Sequence, residues 1–74
     1  MNKTAPVVLV IDDEVQIRRF LRTGFELNGF VVYEAGTGNE AIRMLTQRPV
    51  DLVIVDLGLP DTDGADVVES IRAW

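Results

Sequence analysis

The sequence predicts a single α/β domain built around a parallel sheet. Three short apolar runs rich in β-branched residues, at residues 7–11, 30–33 and 52–55, have the length and composition of buried strands. Segments with apolar residues at helical spacing follow each run, and the connections between them are short. Strands that alternate with helices in this way form parallel sheets with right-handed crossovers, so the predicted order is β-α-β-α-β-α.

The first predicted helix begins after the first strand, where Asp13 and Gln16 have the spacing of a capping box. It ends at Asn28-Gly29, because glycine is favoured just past a helix end. We expect its apolar stripe to pack on the sheet, with Gly24 allowing a close approach, and its arginines to face water. The stripe comprises Ile17, Phe20, Leu21, Gly24 and Phe25, and the arginines are Arg18, Arg19 and Arg22.

Two further helices carry recognisable end signals. Thr37 and Glu40 form a second capping box, and Pro49 ends that helix because proline disfavours helical geometry in the residue before it. Asp63 is predicted to cap a last helix with a continuous apolar face. That face comprises Val67, Val68, Ile71 and Trp74.

Composition excludes several classes of function. The 74 residues contain neither cysteine nor histidine, which removes disulfides, thiolate metal sites and the usual general base. The net charge of −5 argues against direct nucleic-acid binding, which depends on basic contacts to phosphate. The longest apolar run is too short to span a membrane and the first residues do not resemble a signal peptide, so a cytoplasmic protein is expected.

Acidic residues stand at the carboxyl ends of two predicted strands. Asp12 and Asp13 follow the first strand, and Asp56 ends the third. If these strands are neighbours, about 4.8 Å apart, the carboxylates meet in one crevice, where their repulsion calls for a cation. Mg²⁺ suits such oxygen ligands, and the backbone carbonyl of Gly58 is free to turn toward the same ion.

A carboxylate beside a bound cation can act as a nucleophile toward phosphorus and form an aspartyl phosphate, and Asp56 is the predicted acceptor. Simpler interpretations exist, since Asp13 alone is more often a helix cap and a strand-ending aspartate is usually a turn former. An aspartate-nucleophile phosphohydrolase is a weaker alternative, because no acid stands two residues after Asp56. A protein-interaction module without phosphorylation is the third possibility.

The stretches "VLVIDDE" and "VDLVIVDLGLPDTDG" and the spacing between them resemble the receiver domain of two-component response regulators. "QIRRFLRTGFE", "DLGLPDTDG" and "IRAW" are most similar to Kdp-type regulators of potassium uptake, within the winged-helix transcription-factor group. The resemblance implies a flavodoxin-like (CheY-like) fold with strand order 2-1-3-4-5. It also implies that Asp56 accepts a phosphoryl group from a sensor histidine kinase. Asp13, Asp56 and the Gly58 carbonyl would hold Mg²⁺, with Asp12 contributing through a water molecule.

By this resemblance, residues 1–74 cover the first three of five β/α units and carry no DNA-binding domain. The later units supply a Ser or Thr, an aromatic switch residue and a lysine, none of which can be assigned in this chain. The third strand would then expose an apolar edge, and exposed edges favour pairing with another chain. We therefore expect the chain either to self-associate through that edge or to be loosely packed, and to be a signalling domain in place of a free-standing enzyme.

Overall fold

The computed structural model describes residues 5–56, 59 and 66–69 of the chain. Three strands alternate with helices in the predicted order, and residues 66–69 form a further helical segment. The elements are β1 (Val7–Ile11), α1 (Val15–Leu27), β2 (Val31–Ala35), α2 (Gly38–Gln47) and β3 (Leu52–Val55). The predicted α/β class is confirmed, and the bounds predicted for β1 and β3 match the observed ones.

The three strands form one parallel sheet in the order β2-β1-β3. Ile11, the last residue of β1, lies beside Ala35 at the end of β2 and beside Val55 at the end of β3. All three strands therefore end at the same edge of the sheet. The predicted adjacency of the first and third strands is confirmed.

The central strand β1 contributes to a core on each face of the sheet. Leu9 and Ile11 point to one face, where they pack with Ala41 of α2 and with Val67. Val8 and Val10 point to the other face, beneath α1. Because both faces are covered, a continuous apolar run is required here, and an alternating pattern would place polar groups in a core.

Helix α1 begins one residue later than the sequence predicts, and the capping box of Asp13 and Gln16 does not form. Glu14 is the N-cap residue, and its side chain makes no capping hydrogen bond. The backbone N–H of Glu14 instead donates to Oδ1 of Asp12 at 2.9 Å. The carboxylate of Asp12 thus accepts a backbone N–H just before the helix, where Asp13 was expected to act as the cap.

The packed face of α1 is narrower than its apolar stripe. Leu21 and Phe25 pack against the core beneath the helix, but Phe20 is 77% exposed. Gly24 is exposed, and nothing lies within 4 Å of the position a Cβ would take, so its predicted close approach to the sheet is wrong. The expectation that Arg18 faces water is also wrong, because its side chain is largely buried and forms an ion pair with Glu34 on β2.

The remaining helix ends follow the predicted signals. Gly29 has φ +86°, a left-handed conformation that favours glycine after a helix. The N–H of Glu40 donates to Oγ1 of Thr37 at 3.1 Å, which confirms the second N-cap. Strand β2 begins at Val31, not at Phe30, because the N–H of Phe30 donates to the carbonyl of Phe25 at the end of α1.

Several predicted features lie outside the described residues, namely the Gly58 carbonyl, the Asp63 cap, and the positions of Ile71 and Trp74. Among the helices that the structure does describe, none combines the length and apolarity needed to cross a membrane.

Candidate metal centre

The edge of the sheet where the strands end carries the predicted acidic residues. The N–H of Asp56 donates to the carbonyl of Ile11 at 2.8 Å, which extends the pairing of β3 with β1 by one residue. On the other side of β1, the N–H of Asp12 donates to the carbonyl of Ala35 at 3.1 Å. The backbone at both positions is therefore fixed by sheet hydrogen bonds, and the side chains start from rigid points.

The three carboxylates converge at this edge. One oxygen from each of Asp12, Asp13 and Asp56 lies within 4.8 Å of the other two. Asp12 and Asp56 are half-buried, while Asp13 is exposed, so the cluster opens to solvent. Over residues 5–56, 59 and 66–69, no other group of three such ligand residues comes this close together.

The donor set suits a hard divalent cation. Carboxylate oxygens are preferred ligands of Mg²⁺, which commonly keeps several waters and takes one or two carboxylates from the protein. An exposed acid at the rim of the cluster leaves room for such waters. The three side chains predicted from the sequence to share an ion are thus brought together.

The structure adds a residue that sequence reasoning missed. The Arg18 guanidinium donates from Nη1 to the backbone carbonyl of Asp12 at 2.6 Å, and from Nε to Oε1 of Glu34 at 3.1 Å. Its side chain is only 16% exposed. Arg18 thus connects the loop that carries the acidic pair to the neighbouring strand β2.

Glu34 is shared between two arginines of α1. Its second oxygen accepts from Nη1 of Arg22 at 2.6 Å, and Arg22 also pairs with Glu26 at 3.1 Å along the helix. The hydrogen bond from Arg22, with support from Arg18, lowers the pKa of Glu34 despite its partial burial. The bonds to Glu34 and Glu26 correspondingly raise the pKa of Arg22. Glu34 is therefore held in its charged form.

A signal for this cluster is present in the sequence. Glu34 is a lone charge within the apolar run of the second strand, and Arg18 and Arg22 stand four residues apart on one side of the preceding helix. A charge in a half-buried strand requires a partner of opposite sign. What the sequence does not reveal is that the same arginine reaches the acidic loop.

Comparison with known proteins agrees with this architecture. The family model of the response regulator receiver domain matches residues 8–74. The transcriptional regulatory protein KdpE of Mycobacterium tuberculosis is 50% identical over 92% of this chain, and KdpE of Escherichia coli K12 is 46% identical over 90%. The chain spans about 30% of the length of each of these relatives. The predicted similarity to Kdp-type regulators is confirmed.

Solved structures show the same arrangement. The response regulator TrrA of Thermotoga maritima, crystallised in complex with Mg²⁺-BeF, superposes with a TM-score of 0.88 at 34% identity over 92% of this chain. The chemotaxis response regulator CheY4 of Vibrio cholerae superposes with a TM-score of 0.90 at 29% identity over 93%. This chain spans 59% and 57% of those two chains. The fold is CheY-like, and the chain belongs to the family of response regulator receiver domains.

Proposed function

We propose that this chain is the phosphoacceptor part of a two-component response regulator, with Asp56 as the residue that receives the phosphoryl group. The observation that carries the proposal is the convergence of Asp12, Asp13 and Asp56 at one edge of the sheet, in a chain of the receiver family. A structural or turn-forming role for any one of these acids does not require the other two to approach it.

Asp12, Asp13 and Asp56 are the residues that would hold Mg²⁺, and the carbonyl of Gly58 is a fourth ligand proposed from the family resemblance. When bound, the ion offsets the negative charge that the carboxylates share with the phosphoryl oxygens. The relative TrrA was crystallised with Mg²⁺-BeF, which supports the choice of metal.

The proposed transfer is a displacement at phosphorus. A carboxylate oxygen of Asp56 forms a bond to the phosphorus of a phosphohistidine, the P–N bond breaks, and its electron pair returns to the imidazole nitrogen. These 74 residues contain no histidine of their own, and we take the donor to be the phosphohistidine of a sensor histidine kinase. The hydrogen bond from the N–H of Asp56 to β1 fixes the backbone from which the nucleophilic side chain extends.

The role of the whole regulator is proposed by similarity. Both KdpE proteins are transcriptional regulators, so we propose a cytoplasmic protein whose phosphorylation controls transcription of potassium-transport genes. Contact with DNA would come from a separate winged-helix domain, since the residues of this chain carry a net charge of −5. The chain itself is a signalling domain that assists its own phosphorylation, without acting as a free-standing enzyme.

The direct test is incubation with Mg²⁺ and a small acyl phosphate such as acetyl phosphate, followed by intact-mass measurement. We expect one phosphoryl adduct on the unaltered chain, its loss in Asp56→Asn, and its retention in Asp51→Asn, which makes the same charge change before β3. No adduct on the unaltered chain would favour an interaction module. Sustained hydrolysis of phosphate monoesters would favour a phosphohydrolase.

We further propose that the chain self-associates through the outer edge of β3. Within the described part of the chain β3 pairs with β1 alone, and Leu52 on this strand is 42% exposed. An apolar edge strand of this kind is open to pairing with a second copy. Light scattering after size-exclusion chromatography tests this: Leu52→Lys should shift the chain toward monomer, whereas Val31→Lys on β2 should not. A monomeric unaltered chain overturns the proposal.

A further inference from the structure

We infer that Arg18 is a positioning residue for the metal site, holding the peptide unit between Asp12 and Asp13 so that their carboxylates face Asp56. The inference rests on the proposed function, because it assigns a role within the same site. Arg18 touches no carboxylate of the cluster in the contacts described above, and it acts through the backbone.

The contact of Arg18 with the acidic loop is well suited to positioning. Nη1 of Arg18 donates to the carbonyl of Asp12 at 2.6 Å, and that carbonyl belongs to the planar peptide unit that leads into Asp13. Holding the oxygen fixes the orientation of the plane, and with it the starting point of the Asp13 side chain. Asp13 is the exposed member of the cluster, so it has the least support from packing.

Asp12 itself is bound at three points. Its N–H donates to Ala35, its Oδ1 accepts from Glu14, and its carbonyl accepts from Arg18. The first two bonds fix the residue relative to β2 and to the start of α1. Only the third bond is made to the peptide unit between Asp12 and Asp13, and it is the only one of the three whose donor is a side chain.

The guanidinium is in turn held in place by its surroundings. Nε of Arg18 donates to Oε1 of Glu34, so the planar fork spans from β2 to the acidic loop. Gly36, directly after β2, leaves room for Nη1, because a Cβ at this position would lie 3.3 Å from it, which is a tight contact. Arg22 makes the matching ion pair to Glu34 without reaching Asp12, and it offers a natural control.

The experiment is a calorimetric titration of Mg²⁺ into the full 74-residue chain and its variants. Arg18→Met is expected to weaken Mg²⁺ binding by about tenfold, the lower end of the loss usual for residues that orient metal ligands. Arg22→Met removes an ion pair to the same Glu34 and is expected to change the affinity by less than about twofold. Equal affinities of the unaltered chain and Arg18→Met overturn the inference.

Arg18→Lys separates geometry from charge. An ammonium keeps the positive charge but cannot span Glu34 and the Asp12 carbonyl as a fork, so this variant should also bind Mg²⁺ several-fold more weakly, by a factor of roughly three or more. Full affinity in Arg18→Lys overturns the positioning role. If Arg18→Met does not fold, Glu34→Gln supplies the test, since it removes the ion pair that holds the same guanidinium on β2 and should weaken binding in the same direction.

Phosphorylation by acetyl phosphate gives a second measurement that a merely structural role would not move. Arg18→Met should raise the Mg²⁺ concentration for half-maximal rate by about tenfold while the rate at saturating Mg²⁺ stays near that of the unaltered chain. A fall in the saturated rate with no change in the half-maximal concentration overturns the inference. If the unaltered chain binds no Mg²⁺, both the proposed function and this inference fail. If the unaltered chain binds Mg²⁺ and the Arg18 variants bind it with the same affinity, the inference alone fails.

Discussion

Replacing Asp56 with asparagine should stabilise the metal-free chain, even though it removes the proposed phosphoacceptor. The carboxylate of Asp56 lies within 4.8 Å of those of Asp12 and Asp13 in the folded chain. Asp12 and Asp13 stay adjacent when the chain unfolds, so their mutual repulsion changes little. The two repulsions that involve Asp56 arise only on folding, and asparagine of the same shape removes both.

The size of the effect follows from the separation of the charges. Two unit charges 4.8 Å apart repel by about 0.9 kcal/mol in water. Physiological salt, with a Debye length of about 8 Å, reduces each repulsion by roughly half. Relief of the two repulsions therefore contributes about 1 kcal/mol to the free energy of unfolding of Asp56→Asn, equivalent to about 4–8 °C in Tm for a domain of this size.

Magnesium should make the unaltered chain more stable than Asp56→Asn. At a concentration about a hundredfold above its Kd, Mg²⁺ stabilises the unaltered chain by about 2.7 kcal/mol, and Asp56→Asn gains much less because it has lost a ligand. The assay is urea denaturation followed by circular dichroism, with and without Mg²⁺ and at two salt concentrations.

Asp51→Asn is the matched control for this prediction. It makes the same charge change at the other end of β3, about 16 Å away along the strand, and its amide can still accept the hydrogen bond from the N–H of Val7. It should give no gain in metal-free buffer. The reasoning is refuted if Asp56→Asn is no more stable than Asp51→Asn without Mg²⁺, or if its advantage does not shrink as salt is raised.

Three further predictions concern the fold. Leu9→Ala, at a fully buried position of the central strand, should lower the free energy of unfolding by about 2–5 kcal/mol, whereas Val31→Ala, at a residue 41% exposed, should cost far less; similar losses in urea denaturation would contradict the core assignment. Gly29→Ala should destabilise by about 1 kcal/mol because of its φ of +86°, while Gly24→Ala in open space on α1 should be neutral or stabilising, and thermal unfolding distinguishes the two. Glu34→Gln should reduce stability at pH 7 by about 1 kcal/mol. The pKa of Glu34 is lowered in the folded chain, so its contribution to the free energy of unfolding is present above the ordinary glutamate value of 4.5 and disappears as the pH falls through the lowered value. A difference in stability between Glu34→Gln and the unaltered chain that persists at pH 2 would contradict this prediction.

The acidic site shows how far sequence reasoning reaches. Asp12, Asp13 and Asp56 could be predicted to converge because each follows a strand-like run, and parallel strands end at the same edge of a sheet. Their joint role as metal ligands is a proposal, which the Mg²⁺ titration and the phosphorylation assay test. Arg18 was expected to face water, but it pairs with Glu34 on β2. Helical periodicity shows which side of a helix is apolar, but it does not show which charged residue of another element lies next to the polar side.

Local patterns determined the strands, the order of elements and the end signals at Gly29 and Thr37, since these depend on residues close in the chain. The tertiary structure alone decided that Phe20 remains exposed and that Arg18 joins β2 to the acidic loop. Those outcomes depend on which surfaces the sheet covers and on hydrogen bonds between residues far apart in sequence. Periodicity and spacing carry no information about such contacts until the chain has folded.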